Sequence, residues 1–282
     1  MNIARVFPRK TKATPIDPLV FFDGPPMLAL PEIDEVHISV TFTYDMEKAE
    51  RLAYQWERIG VPVKIGGPAI GKPAGEFTPG LYLKEGYTIT SRGCPNHCWF
   101  CQVPKRQGGI KECHIHEGNN ILDDNILACS EEHIRKVFEM LKKQKYGRPI
   151  FSGGLEAKIL KNWHVDLLRE VKPKQMFFAY DTPDDYEPLV EAGRKLLQAG
   201  FTTASHTLRC YVLMGYKGDT FEKAEKRLID TIKAGFMPFA MLYKDADGKE
   251  DSNWAKFRSL WVRPAGVYAS NKKYFAGEGE KE

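Results

Sequence analysis

The sequence has no long run of apolar residues. Its short apolar stretches near the N-terminus, Val20–Phe22 and Leu28–Leu30, are interrupted by Asp23 and by prolines. They fall far short of the ~20 apolar residues that a membrane-spanning helix needs. The basic segment Met1–Lys12 is not followed by the apolar core and small-residue cleavage site of a secretion signal. We therefore expect a protein that works in the cytoplasm and does not enter a membrane.

Net charge is also small, because 41 basic side chains are nearly balanced by 37 acidic ones. This balance does not indicate a nucleic-acid partner, which needs basic side chains clustered on one face. Cysteine is limited to six residues, and three of them crowd into Cys94–Cys101. Such crowding favours a metal site over the disulfide framework of a secreted protein.

The first 80 residues predict a small α/β module. Apolar and polar residues alternate over Glu35–Tyr44, which is the pattern of a half-buried strand. A helix with Asp45 as its cap and Gly60 at its end then leads into a second strand at Val61–Ile65, which completes a β-α-β unit. The segment Gly66–Gly80 is rich in glycine and proline without periodicity, and we expect a domain linker there.

Residues 81–250 predict a repeated strand-helix order. Candidate strands recur at intervals of ~30 residues, the length of one β-α unit, and begin near Thr88, Asn120, Pro149, Met176, Leu208 and Met237. Ser130 and Asp219 are predicted to cap two of the intervening helices. Six such units predict a parallel sheet curled into a (β/α)6 partial TIM-type barrel, with ligands at the C-terminal ends of its strands.

Residues 251–282 are expected to form a C-terminal helix and tail. The helix is predicted over Asn253–Val262 with three aromatic residues on one stripe, and Arg263-Pro264 is expected to stop it. The segment from Gly277 onward is polar, and we expect a frayed tail there.

The cysteine-rich segment places three thiolates in one loop, directly after the predicted strand Tyr87–Ser91. Soft thiolate ligands suit iron and zinc. Three thiolates can bind three irons of a four-iron cluster and leave the fourth iron without a protein ligand, whereas a fourth cysteine closes an electron-transfer cluster. An open iron of that kind can bind a small molecule.

The spacing Cys-x3-Cys-x2-Cys in Cys94–Cys101, with the aromatic Phe100 before the last cysteine, resembles the signature of the radical S-adenosylmethionine superfamily. The resemblance implies a [4Fe-4S] cluster held by Cys94, Cys98 and Cys101, whose open iron chelates the amino and carboxylate groups of S-adenosylmethionine. It also implies reductive cleavage of that cofactor to a 5′-deoxyadenosyl radical, with a donor such as flavodoxin or ferredoxin supplying the electron. The substrate and the outcome of the reaction are left open.

Two other classes of function remain as alternatives. A zinc-binding module that recognises nucleic acid or a protein would use the same cysteines, with Cys113, His114 or His116 as a fourth ligand. An iron–sulfur electron carrier or redox sensor would hold a cluster without responding to S-adenosylmethionine. A second metal site at Cys113–His116 is a further open question.

The resemblance spans roughly Leu81–Lys244 and is closest to the branch containing methylthiotransferases and cobalamin-linked radical enzymes. It implies further cofactor-binding positions, each of which also has a structural interpretation. Asp123 and Asp124 are candidates for binding the ammonium group of S-adenosylmethionine, and the alternative is that they form a turn before the next helix. Glu156 is a candidate for contacting the cofactor or for lining the substrate pocket. The remaining candidates are Phe100 beside the cysteines, Asp181 for the ribose or an ordinary turn, Arg209 for a carboxylate or a surface ion pair, and Gly215 for a turn near the adenosine.

The N-terminal module resembles a shortened cobalamin-binding domain in its element order and its position before the barrel. It lacks the Asp-x-His-x-x-Gly motif of such domains, and the usual axial histidine is therefore missing. We accordingly predict a structural module that binds no cobalamin.

Overall fold

Two parallel sheets, each with its own hydrophobic core, organise the chain. The computed structural model describes residues 1–27, 30–72, 75–245 and 247–275. Within these residues no helix is both long and apolar enough to cross a membrane.

The N-terminal sheet has four parallel strands: β1 (Ile3–Val6), β2 (Val20–Phe21), β3 (Glu35–Ser39) and β4 (Val63–Gly66). The strand order is β2-β1-β3-β4, and helix α1 (Met46–Trp56) connects the last two strands. Trp56 and Ile38 are fully buried between helix and sheet. The predicted β-α-β unit is therefore confirmed. Strands β1 and β2 were missed because both are too short to show a periodic pattern.

Two local predictions in this unit were wrong. The strand predicted over Glu35–Tyr44 ends at Ser39, and a short 3-10 turn precedes α1. Asp45 does not cap the helix, because its carboxylate instead accepts hydrogen bonds from Arg9 at 2.8 and 2.9 Å. Tertiary pairing with a cation has replaced local capping.

The predicted linker returns to the N-terminal unit. After a 3-10 turn at Pro68–Ile70, the chain comes back so that Arg5 donates to the carbonyls of Gly80 and Leu81. The Lys84 amide also donates to the Ala13 carbonyl at 2.9 Å. The residues just after position 80 thus contact the N-terminal unit, and the division of the chain at residue 80 stays a prediction.

The second sheet has six parallel strands in the order β12-β11-β10-β9-β8-β5. The first part of this region of the chain comprises β5 (Tyr87–Thr88), β6 (Ser91–Arg92), α2 (Val103–Gln107), β7 (Lys111–Glu112), β8 (Asn120–Ile121), α3 (Glu131–Lys143), β9 (Ile150–Phe151) and α4 (Asn162–Val171). Strands β6 and β7 form a separate antiparallel pair. The second part comprises β10 (Gln175–Ala179), α5 (Tyr186–Gln198), β11 (Leu208–Met214), α6 (Phe221–Lys233) and β12 (Met237–Leu242). Each predicted strand start lies within one residue of an observed start. The linear order with two free edges is that of a partial TIM-type barrel, as predicted.

Two details of the barrel differ from the prediction. The strand predicted over Tyr87–Ser91 is broken into β5 and β6, because the Thr90 amide donates to a buried carboxylate, that of Asp123. Helix α6 is capped by Thr220 and not by Asp219, since the Thr220 hydroxyl accepts from the amide of Lys223. The predicted Ser130 cap of α3 is confirmed.

Two helices follow the last strand and pack on the barrel. Helix α7 (Ser252–Ser259) is capped by Asp251. Pro264, predicted as a stop, instead begins helix α8 (Pro264–Phe275), since proline is well suited to the first turn of a helix. Trp261 and Val267 are buried in the barrel core. The boundary placed at residue 251 stays a prediction, and the tail from Gly277 lies outside the described residues.

Two helical glycines allow a test of the packing between the β-α units. A Cβ on Gly193 in α5 would overlap the Ala234 carbonyl at the end of α6, whereas a Cβ on Gly266 in α8 would meet open space. We expect Gly193→Ala to lower the free energy of unfolding by about 1–3 kcal/mol, because packed backbone must move apart. The control Gly266→Ala should raise it by up to about 1 kcal/mol. Urea unfolding measures both, and an equal effect of the two changes would contradict this packing.

Candidate metal centre

The three predicted ligands lie on a loop that leaves β6 and is closed at its base. Cys94 follows β6, and its amide donates to the Gly108 carbonyl at 3.1 Å. Gly93 has a φ of +88°, and a Cβ there would overlap the carbonyls of Gly108 and Gly109. A glycine is therefore required where the two ends of the loop approach.

Inside the loop, local hydrogen bonds arrange the thiols. The Cys101 amide donates to the Cys98 carbonyl at 3.0 Å, and the Val103 amide donates to the Cys101 sulfur at 3.4 Å at the start of α2. Cys94 and Cys101 are half-buried, Cys98 is exposed, and all three are free thiols. Three free thiols thus lie on one short loop after β6.

Burial is the largest cause that raises the pKa of Cys98 and of Cys101, and the neighbouring thiols raise both further. No group of three His, Cys, Asp or Glu side chains in the described ranges is arranged to hold a single ion. The donor set, three thiols on one loop, is the chemistry that iron–sulfur clusters use. Binding such a cluster would require the thiols to release their protons.

Asn125 connects the cysteine loop to the next strand ends. Its Nδ2 atom donates to Glu156 Oε2 at 2.6 Å and lies 3.6 Å from the Cys94 sulfur. Asn125 is buried, and its Oδ1 atom has no hydrogen-bond partner in the described part of the chain. The amide therefore lies between a predicted metal ligand and a predicted cofactor contact. Asn125 was not among the predicted site residues, although it directly follows two of them, Asp123 and Asp124.

The two aspartates of that run fix the base of the cysteine loop. Asp123 is buried and accepts hydrogen bonds from the Thr90 amide and hydroxyl at 2.6 Å and from the Ser91 hydroxyl at 2.7 Å. Burial raises the pKa of Asp123 despite these donors. Asp124 accepts from the Gly93 amide at 2.8 Å. These contacts anchor the segment before the cysteine loop, and the contact of either carboxylate with the cofactor stays a prediction.

The segment after β9 brings Glu156 to the same place. A Cβ on Gly153 would overlap the backbone of Leu122 and Asp123, and the glycine therefore lets two strand ends approach each other. Glu156 then lines a cleft of about 360 Å³, together with Pro95 and Asn96 of the cysteine loop. Glu156 thus lines a cleft that the cysteine loop borders through Pro95 and Asn96.

Asp181 and Gly215 lie at the ends of neighbouring strands. The Asp181 carboxylate accepts from the Leu213 amide at 2.8 Å, and burial raises its pKa to about 6. Gly215 has a φ of +75° after β11, and its amide donates to Asp219 at 2.9 Å. Both residues hold the strand ends in place, and their predicted contacts with the ribose and the adenosine stay predictions.

Phe100 and its neighbour Trp99 connect the cysteine loop to the far side of the barrel. The ring centroids of Phe100 and Trp99 are 5.3 Å apart, and Trp99 also packs against Tyr216 and Tyr243, which follow β11 and β12. The loop therefore bridges the two halves of the rim. A direct contact of Phe100 with the cofactor stays a prediction.

Arg209 does not form the surface ion pair considered as its structural alternative. It is 5% exposed and lies beside the rings of Phe177 and Phe239, with its Cζ atom 5.6 Å from each centroid. Arg209 lies in β11, where its neighbour Cys210 belongs to the hydrophobic core. Its charge had suggested a surface position, and its burial was therefore not predicted.

The cysteines outside the loop lie in three different surroundings. Cys113 follows β7, where its amide donates to the Thr90 carbonyl, and the rings of His114 and His116 are 4.6 Å apart. Cys210 is fully buried, whereas Cys129 is half-buried, and burial raises the pKa of Cys129 to about 11. A second metal site at Cys113–His116 stays an open question.

A partial barrel of parallel strands with a three-cysteine loop at its rim defines a class of iron–sulfur enzyme. A scan against protein-family models matches the Radical SAM superfamily over residues 88–242, which is more than half of the chain. The chain belongs to the radical SAM superfamily and is an iron–sulfur enzyme of that class. Members generally use a [4Fe-4S] cluster and S-adenosylmethionine. A search of the curated proteins found no match.

The raised pKa of Asp181 predicts a pH dependence. The ordinary pKa of an aspartate is about 3.9, and between roughly pH 4 and 6 the folded chain therefore keeps a proton that the unfolded chain has released. This contribution stabilises the fold at acid pH and is lost as the pH rises through about 6. Asp181→Asn keeps an acceptor for the Leu213 amide without the charge. It should be more stable than the wild type at pH 7 by about 1–2 kcal/mol, a value reduced because the residue is partly exposed.

Urea unfolding of both proteins from pH 4 to pH 8 tests this expectation. The difference between them should shrink toward zero at pH 4. The control Asp184→Asn changes an exposed neighbour, and it should show no such trend. A constant difference at every pH would contradict the assignment to Asp181.

Proposed function

We propose that Cys94, Cys98 and Cys101 hold a [4Fe-4S] cluster that binds S-adenosylmethionine and cleaves it reductively, so that the enzyme modifies an organic substrate. The observation that carries the proposal is the loop of three thiols, joined through Asn125 to Glu156 at the C-terminal ends of parallel strands. When bound, the reduced cluster supplies the electron that converts the cofactor to a 5′-deoxyadenosyl radical.

Glu156 is the residue we assign to the ammonium group of the cofactor. Its carboxylate lines the cleft beside Pro95 and Asn96, and the Asn125 amide holds one of its oxygens at 2.6 Å. An oriented carboxylate accepts a charge-assisted hydrogen bond from an ammonium group more strongly than from a neutral donor. Asn125 acts here as a positioning residue for Glu156.

The proposed setting is the reducing cytoplasm, where six free cysteines persist and a small electron donor such as flavodoxin or ferredoxin is present. Cys98 and Trp99 are exposed, which supports a short path for the electron from a donor at this edge. The N-terminal module lacks the axial histidine motif. We therefore propose a structural role for it, without cobalamin.

Anaerobic reconstitution tests the cluster. The wild type should bind about four irons per chain and, on reduction, convert S-adenosylmethionine to 5′-deoxyadenosine. Alanine at Cys94, Cys98 or Cys101 should lower cluster content and cofactor cleavage by roughly 10- to 100-fold or more, because each thiolate binds its own iron. The matched control Cys129→Ala, which removes a thiol outside the loop, should keep the iron content. Zinc without iron, or a full cluster with an intact cofactor, would contradict the proposal.

The role of Glu156 has its own test. Glu156→Gln keeps the shape and the hydrogen bond to Asn125 but removes the charge, and it should weaken binding of S-adenosylmethionine by about 10- to 100-fold. Iron content should stay unchanged. Glu131→Gln is the matched control, since Glu131 lines the same cleft but pairs with Arg135. Equal affinities of the two variants, measured by equilibrium binding, would refute the assignment.

A further inference from the structure

Arg209 lies on the concave face of the barrel sheet. In β11 the side chains alternate, and Cys210, Val212 and Met214 belong to the hydrophobic core. Arg209 and Tyr211 therefore face the opposite side, which is the interior of the barrel. This interior is the space that a ligand of the enzyme would enter.

The guanidinium of Arg209 has no acidic partner among the described residues. No hydrogen bond or ion pair there involves its nitrogen atoms, and its Nε atom is buried without a partner. The chain's other buried arginines differ in this respect, since Arg5 pairs with Asp17, and Arg227 pairs with Asp219. Burial lowers the pKa of Arg209, and only Tyr211 opposes that effect. Arg209 is thus a buried cation that nothing in its surroundings neutralises.

A buried charge without a partner is costly, and the rings of Phe177 and Phe239 compensate it only in part. An anion that enters the barrel would complete the site, because guanidinium binds carboxylates and phosphates through paired hydrogen bonds. Arginine at such a position is expected where a negative group must be recognised away from water.

We propose that Arg209 binds an anionic group, a carboxylate or a phosphate, of the molecule that this enzyme modifies. The inference rests on the proposed function, since it places the substrate in the same barrel as the cofactor. It narrows the substrate class to molecules that carry a negative group at one end.

The position of Arg209 separates it from the proposed cofactor contacts. Arg209 pairs in register with Phe177 of β10, and Met176 pairs with Phe151 of β9. Arg209 is therefore level with Ser152, where β9 ends, but two strands away from the segment that carries Glu156. The Tyr211 hydroxyl donates to the Ser152 carbonyl at 3.4 Å across this gap. A ligand that reaches Arg209 would thus be bounded by aromatic rings and would lie two strands away from the Glu156 segment.

Anion binding to the reconstituted enzyme tests the proposal. Inorganic phosphate and acetate are titrated at constant ionic strength, with and without saturating S-adenosylmethionine, and thermal unfolding is followed. The Tm of the wild type should rise by about 3 °C, and saturably, at ten times the Kd of whichever anion binds more tightly. The same rise is expected when S-adenosylmethionine is present. Arg209→Met should abolish this rise, and the control Arg194→Gln, which changes an exposed ion pair, should keep it.

The same variants distinguish a substrate site from a cofactor contact. Arg209→Met should fold, because the two rings can pack against an apolar chain, and Arg209→Lys provides a second variant that keeps the charge and should restore part of the binding. Both should bind and cleave S-adenosylmethionine within about threefold of the wild type.

Equal stabilisation of wild type and Arg209→Met by anions would overturn the proposal. A tenfold or greater loss of cofactor affinity in Arg209→Met would also overturn it, because the anion would then be the cofactor's carboxylate. Failure of the wild type to cleave the cofactor would instead contradict the proposed function. The anion titration measures binding at Arg209 and does not depend on cleavage of the cofactor.

Discussion

The buried carboxylate of Asp123 is the contact on which the site depends. It accepts three hydrogen bonds from Thr90 and Ser91, and in doing so it interrupts the first barrel strand just before the cysteine loop. A hydrogen-bonded carboxylate in a low-dielectric setting holds its partners firmly, because any partner that leaves exposes an unsatisfied group. The break at Thr90 lets the chain turn away from the sheet, and the Asp124 contact with Gly93 then fixes where the loop begins.

Parallel strands explain why the rest of the site gathers there. The carboxyl ends of β5, β8 and β9 lie side by side, and the residues that follow them meet although they are distant in the chain. The cysteine loop supplies the thiols, the end of β8 supplies Asn125, and the end of β9 supplies Glu156. Small residues make this approach possible, since at Gly153 and Gly93 a side chain would collide with neighbouring backbone. The strand order therefore brings these residues together, and the two glycines allow the backbone segments to approach closely enough.

The buried charges of the barrel fall into two groups. Asp219 and Arg227 neutralise each other beside the turn after β11 and stabilise the strand end that carries Gly215. Arg209 has no such partner and is surrounded by aromatic rings on the concave face. The paired guanidinium of Arg227 stabilises the fold, whereas the unpaired guanidinium of Arg209 is destabilising until an anion neutralises it. Arg227 therefore has a structural role, whereas Arg209 is the residue that we propose for binding the substrate.

The sequence by itself determined the series of six parallel strands, the Ser130 cap and the three-cysteine loop. Each of these depends on residues close together in the chain, namely hydrophobic periodicity, a local hydrogen bond and a fixed spacing. Tertiary structure decided the rest. It assigned Asp45 to Arg9 instead of a helix cap, joined Asn125 to both Cys94 and Glu156, and buried Arg209 beside two rings. Such pairings join residues that are distant in the chain, and only the packing of strands against one another decides which of them meet.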